Sequence, residues 1–132
     1  ISLEEGVELV WHAFNDMKGG EIYVKKIPSM KLTDIALAVN NKARQEVVGI
    51  RPGEKLHEEM IGQQDALYTY EYPEYYKILP SINDWSKDSN RISGGVKVDL
   101  NFRYCSNNNK GWMQISELQE WIQKNKMKIG RI

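Results

Sequence analysis

The stretch "SLEEGVELVWHAFNDMKGGEIYVKKIP", residues 2–28, decides the fold class because its hydrophobic period changes once along its length. Ser2 and Glu5 have the spacing of a capping box, in which the serine hydroxyl accepts from the backbone three residues on and the glutamate reaches back. Behind them Leu3, Val7, Val10, Phe14 and Met17 recur at three- and four-residue intervals, with Leu9 and Trp11 widening the stripe. A helix is therefore predicted, ending where Gly19-Gly20 supplies a left-handed stop. After the glycines the period falls to two. In "EIYVKKI" β-branched and aromatic residues alternate with charges, which predicts a strand closed by Pro28. The helix carries an apolar face that must pack against something.

Working outward, "LTDIALAVNN" predicts a shorter helix capped by Thr33 or by Ser29, and "QEVVGI" predicts a second strand running into "RPGEKLHEEM". The order so far is α-β-α-β. "LYTYEYPEYYKILP" places two aromatic-rich runs about Pro73, which suits an irregular hairpin or two edge strands. Residues 82–97 turn polar and are expected to form a long loop or a segment ordered only by contacts elsewhere. Residues 115–125 predict a terminal helix, capped by Ser116 with Gln119 and presenting Leu118, Trp121 and Ile122 on one face. The fold class expected is α/β, a mixed α+β lobe occupying residues 1–132 as one domain.

With 132 residues, 41% hydrophobic and 27% charged, the chain can bury one core but not two. Eighteen basic and eighteen acidic side chains cancel, so no global field draws it to nucleic acid or to an anionic membrane. The single cysteine, Cys105, excludes an internal disulfide. No secretory leader or apolar run of ~20 residues is visible, so a reduced, cytoplasmic protein is expected. Because Ile1 rather than methionine leads directly into a helix cap, the chain is expected to be part of something longer.

Arg51-Pro52-Gly53-Glu54 admits two readings. Pro followed by Gly fits the centre of a type II turn, a surface reversal with Arg and Glu at its rim. A turn at the end of a strand in an α/β protein is also where ligands bind. There an arginine could grip a phosphate bidentately while a carboxylate accepted from two ribose hydroxyls. "HEE" at 57–59 lacks the second histidine of a zinc helix, since position 61 is isoleucine, and no metal site is read. His12 and His57 are read as packing or surface residues, and Cys105 as a small buried filler. Tyr68, Tyr70, Tyr72, Tyr75 and Tyr76 could form a stacking platform. Their alternation at 68, 70 and 72 equally describes a strand face packed on the core. "SNNNKG" reads as a polar turn. No glycine-rich strand-to-helix turn and no Tyr-x-x-x-Lys pair occurs, so neither dinucleotide binding nor catalysis is expected from this chain alone.

"SLEEGVELVWHAF", "GGEIYVKKIPSMKLTDIA", "VVGIRPGEKLHEEMI", "YYKILP" and "FRYCSNNN" together resemble, in that order, the carboxyl-terminal part of the inverting UDP-N-acetylglucosamine 4,6-dehydratases, which are extended short-chain dehydrogenase/reductases. The resemblance implies a substrate-binding lobe whose Rossmann core, and with it NADP, lies in a missing amino-terminal domain. It implies oxidation at C4 of the sugar, loss of water across C5 and C6, and return of the hydride to C6 with inversion at C5. It further implies a homo-oligomeric parent acting on a UDP-sugar in surface-glycan synthesis, with no catalytic residue in this chain. Arg51 matches the arginine on the UDP phosphates and Glu54 the acid on the ribose, with Pro52 and Gly53 shaping the turn. Ser29 to Lys31 match a further signature on the nucleotide side. Asn107 departs from it, standing where an aspartate is common. Retaining dehydratases and epimerases share this architecture, and a non-catalytic oligomerisation or partner-binding module is the competing reading.

Overall fold

The capping box at Ser2 is realised in the computed structural model, which describes residues 1–82 and 88–129. Helix α1 (Leu3–Asp16) begins with the Ser2 hydroxyl accepting from the Glu5 N–H at 3.2 Å and the Glu5 carboxylate accepting from the Ser2 N–H at 2.7 Å. The helix ends before the glycines, at an extended Met17, because Glu21 gathers the next turn: its carboxylate accepts from the N–H groups of Lys18 and Gly19. Strand β1 (Ile22–Lys25) follows. The chain then divides into two units, one made of Ile1–Ile27 with Glu59–Cys105, the other of Pro28–Glu58 with the residues from Ser106 onward.

In the first unit, β2 (Glu59–Ile61) pairs antiparallel with β6 (Tyr104–Cys105), with an irregularity between Glu59 and Ile61. A 3-10 turn over Gln63–Tyr68, not predicted from the sequence, leads into β3 (Thr69–Glu71) and β4 (Tyr75–Ile78). These two form the aromatic hairpin, joined by the Tyr72 N–H donating to the Tyr75 carbonyl at 2.9 Å. The hairpin is not at an edge on its β4 side: β1 pairs with β4, and β5 (Val96–Lys97) pairs with β3, giving the antiparallel order β1-β4-β3-β5. Val96 and Lys97 thus leave the long loop expected over 82–97, since β3 offers an open edge for their backbone to pair with. Residues 83–87 of that expected loop lie outside the described residues.

The strand period of two separates two apolar clusters. Tyr76 and Ile78 of β4 join Val24, Ile61 and Tyr104, while Tyr70, Tyr72 and Leu79 form a second cluster with Tyr68, Tyr75 and Ile92 around them. Tyr70, Tyr72 and Tyr76 are buried, and Tyr72 stacks on Tyr75 with centroids 4.7 Å apart. The tyrosine run is core rather than a platform. Gly95 is required by this packing, because a Cβ there would sit 2.6 Å from the Tyr72 ring. Tyr104 also locks the unit's exit: its hydroxyl donates to the Ile27 carbonyl at 2.9 Å and accepts from the Ile27 N–H at 2.8 Å.

Charges are buried here too, and they are paired. Lys77, 3% exposed at its side chain, meets Asp16, donates to the Arg91 carbonyl at 2.9 Å, and lies 5.1 Å from the Tyr72 ring centroid. Arg91 donates to Glu21 at 2.7 Å. Burial raises the Asp16 carboxyl, but hydrogen bonds from Lys77 and Tyr23 and the Lys77 charge outweigh it and hold the group below its ordinary 3.8. Burial likewise raises Glu21, and the Lys18 and Gly19 N–H groups with Arg91 bring it below 4.5. Both carboxylates have depressed folded values, so the stability they contribute is in place above 3.8 to 4.5 and is lost as pH falls through the lower folded values. A melting-temperature series should therefore fall off on the acid side of that window, and Glu21→Gln should flatten the acid slope. A slope unchanged by the substitution would contradict the assignment.

In the second unit α2 spans Leu32–Val39 with Lys31 at its N-cap position, so neither Thr33 nor Ser29 caps it; Thr33 lies inside the helix. The terminal helix α3 (Ile115–Ile129) is longer than predicted and starts earlier relative to its cap: the Glu117 carboxylate accepts from the Gln114 N–H at 2.5 Å, leaving Ser116 within the helix. Among the described residues no helix is long and apolar enough to cross a membrane.

Candidate functional site

Between α2 and β2 the chain runs as an exposed arm. The second strand predicted at "QEVVGI" does not form: no residue of 45–50 is in a strand, and Val47, Val48 and Ile50 are 96%, 79% and 58% exposed. β-Branched residues favour a strand only where a pleated surface can pack them, and among the described residues none is paired alongside. The strand forms later, at Glu59–Ile61, where Ile61 is fully buried.

The Arg51–Glu54 turn sits on this arm. Its backbone is closed by the Glu54 N–H donating to the Arg51 carbonyl at 3.0 Å, and Gly53 has φ +87°, the value a type II turn requires at its third residue. A side chain at Gly53 would be strained at that φ, and Pro52 fixes the preceding residue, so the two shape the reversal. The Glu54 carboxylate folds back to accept from the Arg51 N–H at 2.8 Å. Its other oxygen lies 4.0 Å from Arg51 Nε, with the two side chains 79% and 50% exposed, a solvated pair of little energetic weight. One rigid turn therefore presents a planar cation and a carboxylate side by side. The guanidinium can take two phosphate oxygens in its fork, and the carboxylate has lone pairs left for hydroxyl donors.

Ser29 to Lys31, the other sequence candidates, begin the same unit. The Ser29 N–H donates to the Gly111 carbonyl at 2.8 Å, and the Ser29 carbonyl accepts from the Met113 N–H at 2.9 Å. Lys31 is exposed just ahead of α2. His57 is exposed on the arm, and His12 is exposed on α1 with its ring 4.6 Å from that of Tyr75. Cys105 is buried in β6, as a filler would be. Sequence reasoning passed over the residues that fasten the arm. Ser106 and Asn109 read only as members of a polar turn, and short polar runs carry no signal of which backbone they will bond.

Residues 1–80 match the family model described as polysaccharide biosynthesis protein. The chain belongs to that family. Two curated relatives are similar to this chain over most of its length. The UDP-N-acetylglucosamine 4,6-dehydratase (inverting) of Campylobacter jejuni subsp. jejuni serotype O:2 is 47% identical across 92% of this chain and 38% of its own length. The UDP-glucose 4-epimerase of Rickettsia rickettsii is 29% identical across 92% of this chain and 37% of its own. The chain thus spans well under half the length of the curated relatives it matches. The X-ray structure of Pen from Bacillus thuringiensis superposes with a TM-score of 0.77 at 22% identity, covering 96% of this chain and 38% of that one, which establishes a shared mixed α/β fold with antiparallel sheets. The resemblance to the inverting dehydratases drawn from the motifs agrees with these matches across the polysaccharide biosynthesis family.

Proposed function

We propose that this chain is the carboxyl-terminal, substrate-binding part of a longer UDP-N-acetylglucosamine 4,6-dehydratase, a lyase that dehydrates its sugar nucleotide with inversion at C5 for surface-glycan synthesis. What supports the reading most is the pairing of the 47% identity to an inverting dehydratase with the Arg51–Glu54 turn, which offers a cation and a carboxylate from one reversal. Arg51 holds the diphosphate, Glu54 accepts from the ribose hydroxyls, and Pro52 and Gly53 fix the angle between them. The parent is a cytoplasmic homo-oligomer whose amino-terminal domain has the Rossmann core of the extended short-chain dehydrogenase/reductases.

NADP, the hydride carrier of that reaction, does not fit the helix starts of α1 and α2. A dinucleotide pyrophosphate seeks an open, positive helix start reached by a glycine-rich turn. α1 starts instead with Glu4 and Glu5 behind a closed capping box, and α2 carries Asp34 in its first turn. The cofactor is therefore assigned to the rest of the parent, and the resemblance to the inverting dehydratases implies the same of the catalytic groups. The test has two arms. The full-length enzyme supplied with NADP should convert UDP-N-acetylglucosamine to a product lighter by one water, and the isolated 132-residue chain should neither convert it nor bind NADP by fluorescence titration. Turnover by the isolated chain, or none by the full-length protein, overturns the assignment.

The second reading is a partner-binding module, in which helix α1 faces a protein instead of the missing amino-terminal domain. The apolar stripe of α1 is open, with Trp11 64% and Phe14 67% exposed. A large apolar patch of this kind marks a protein contact, and absence of dehydration by the full-length protein would select this reading over the first.

A further inference from the structure

The stretch from Ser29 to Glu58, which comprises α2 and the arm carrying the Arg51–Glu54 turn, is held at both its ends by one short segment, residues 106–113. At the start of the second unit Ser29 bonds through its backbone to Gly111 and Met113, and its hydroxyl accepts from Asn109 Nδ2 at 3.1 Å. At the end Glu58 donates its N–H to the Ser106 hydroxyl at 3.1 Å, and the Ser106 N–H donates to the Glu58 carbonyl at 2.8 Å. The Asn109 amide is oriented unambiguously: its Oδ1 accepts from the Gly111 N–H at 3.1 Å, which turns Nδ2 toward Ser29. Between the two ends, Gln45 Nε2 ties the arm to α2 by donating to the Thr33 carbonyl at 3.0 Å.

Bringing the ends of a flexible excursion together costs entropy that rises with its length, so bonds that close the ends contribute to its definition. A ligand that meets Arg51 and Glu54 already in place loses less free energy to ordering them than one that must arrest a mobile arm. We infer that Ser106 and Asn109 are positioning residues for the Arg51–Glu54 turn: by stapling Glu58 and Ser29 to one segment they set the arm that presents the guanidinium and carboxylate to a uridine diphosphate. The inference rests on the proposed function of that turn. Ser106 acts through the Glu58 backbone and Asn109 through the Ser29 hydroxyl.

The experiment uses the full-length enzyme with UDP in calorimetry and UDP-N-acetylglucosamine in steady-state assays. Ser106→Ala removes the hydroxyl acceptor and should raise the Kd for UDP and the KM for the sugar nucleotide about three- to tenfold, the size of one lost neutral hydrogen bond, with little change in kcat. Ser106→Thr, which keeps the hydroxyl, should restore both. Asn109→Ala removes the donor to Ser29 together with the acceptor for Gly111 and should act in the same direction, carrying the test if Ser106→Ala does not fold. Unchanged UDP affinity in folded variants, or a fall in kcat and melting temperature that Ser106→Thr does not rescue, overturns the inference. Arg51→Ala run alongside separates the two claims: if it weakens UDP binding while the Ser106 and Asn109 variants do not, the function stands and the positioning role falls. If Arg51→Ala has no effect, the reading of the turn itself fails and the inference falls with it.

Discussion

Arg91→Leu is expected to destabilise the first unit by about 3–5 kcal/mol, the cost of stranding one member of a buried ion pair. The Arg91 and Glu21 side chains are 7% and 1% exposed and meet at 2.7 Å. The guanidinium also donates to the Gly19 carbonyl at 3.3 Å, and its Nε lies 3.4 Å from an Asp88 carboxylate oxygen. Removing it leaves the Glu21 carboxylate buried with backbone N–H groups, those of Lys18 and Gly19 among them, in place of a cation. It also disturbs the backbone carbonyl that receives Lys77, so a second buried cation is affected. Urea unfolding at neutral pH should show the loss as a lower midpoint. The double substitution Glu21→Gln with Arg91→Met should cost less than Arg91→Leu alone, because it removes the uncompensated charge as well. A loss below about 1 kcal/mol, the size of an exposed pair, would mean that solvent reaches Glu21.

This pair also shows where sequence reading stops. Glu21 and Arg91 stand 70 residues apart, and nothing in "GGEIY" or "NRIS" announces that they meet. By contrast the start of α1 was legible, because a capping box is a contract between residues three apart. β1 and the aromatic hairpin were legible for the same reason, their period and turn residues being local. "QEVVGI" misled because its composition suits a strand but composition does not supply the partner. The strand appears instead at Glu59–Ile61, where Tyr104 and Cys105 stand opposite. For Val96–Lys97 the polar surrounding left a loop and a segment ordered by contacts elsewhere both open, and the open edge of β3 selects the second. At the candidate site the turn itself was legible from Pro52-Gly53. The ties from Ser106 and Asn109 were not, since each spans 48 to 80 residues.

Arg51→Ala in the full-length enzyme should weaken UDP-sugar binding by one to a few factors of ten. A hydrogen bond to a charged group contributes roughly 1.5–3 kcal/mol, and each factor of ten corresponds to about 1.4 kcal/mol. The existing environment of the side chain makes the change clean. It is 79% exposed, and its approach to Glu54 is 4.0 Å, so truncation removes no buried contact and should leave the melting temperature unchanged. Arg51→Lys separates charge from shape: a lysine keeps the cation but not the planar fork, so it should recover only part of the affinity if the phosphates are held bidentately. Glu54→Gln should weaken binding less, since the amide oxygen can still accept from the Arg51 N–H and from one ribose hydroxyl. Glu54→Ala should exceed it, because the carboxylate that closes the turn onto its own backbone is lost along with the hydroxyl acceptor. Calorimetry with UDP and with the complete sugar nucleotide reads all four variants, and the losses should be alike for the two ligands, since the turn addresses the nucleotide and not the hexose. Equal affinity for wild type and Arg51→Ala would leave Arg51-Pro52-Gly53-Glu54 as a surface reversal and nothing more.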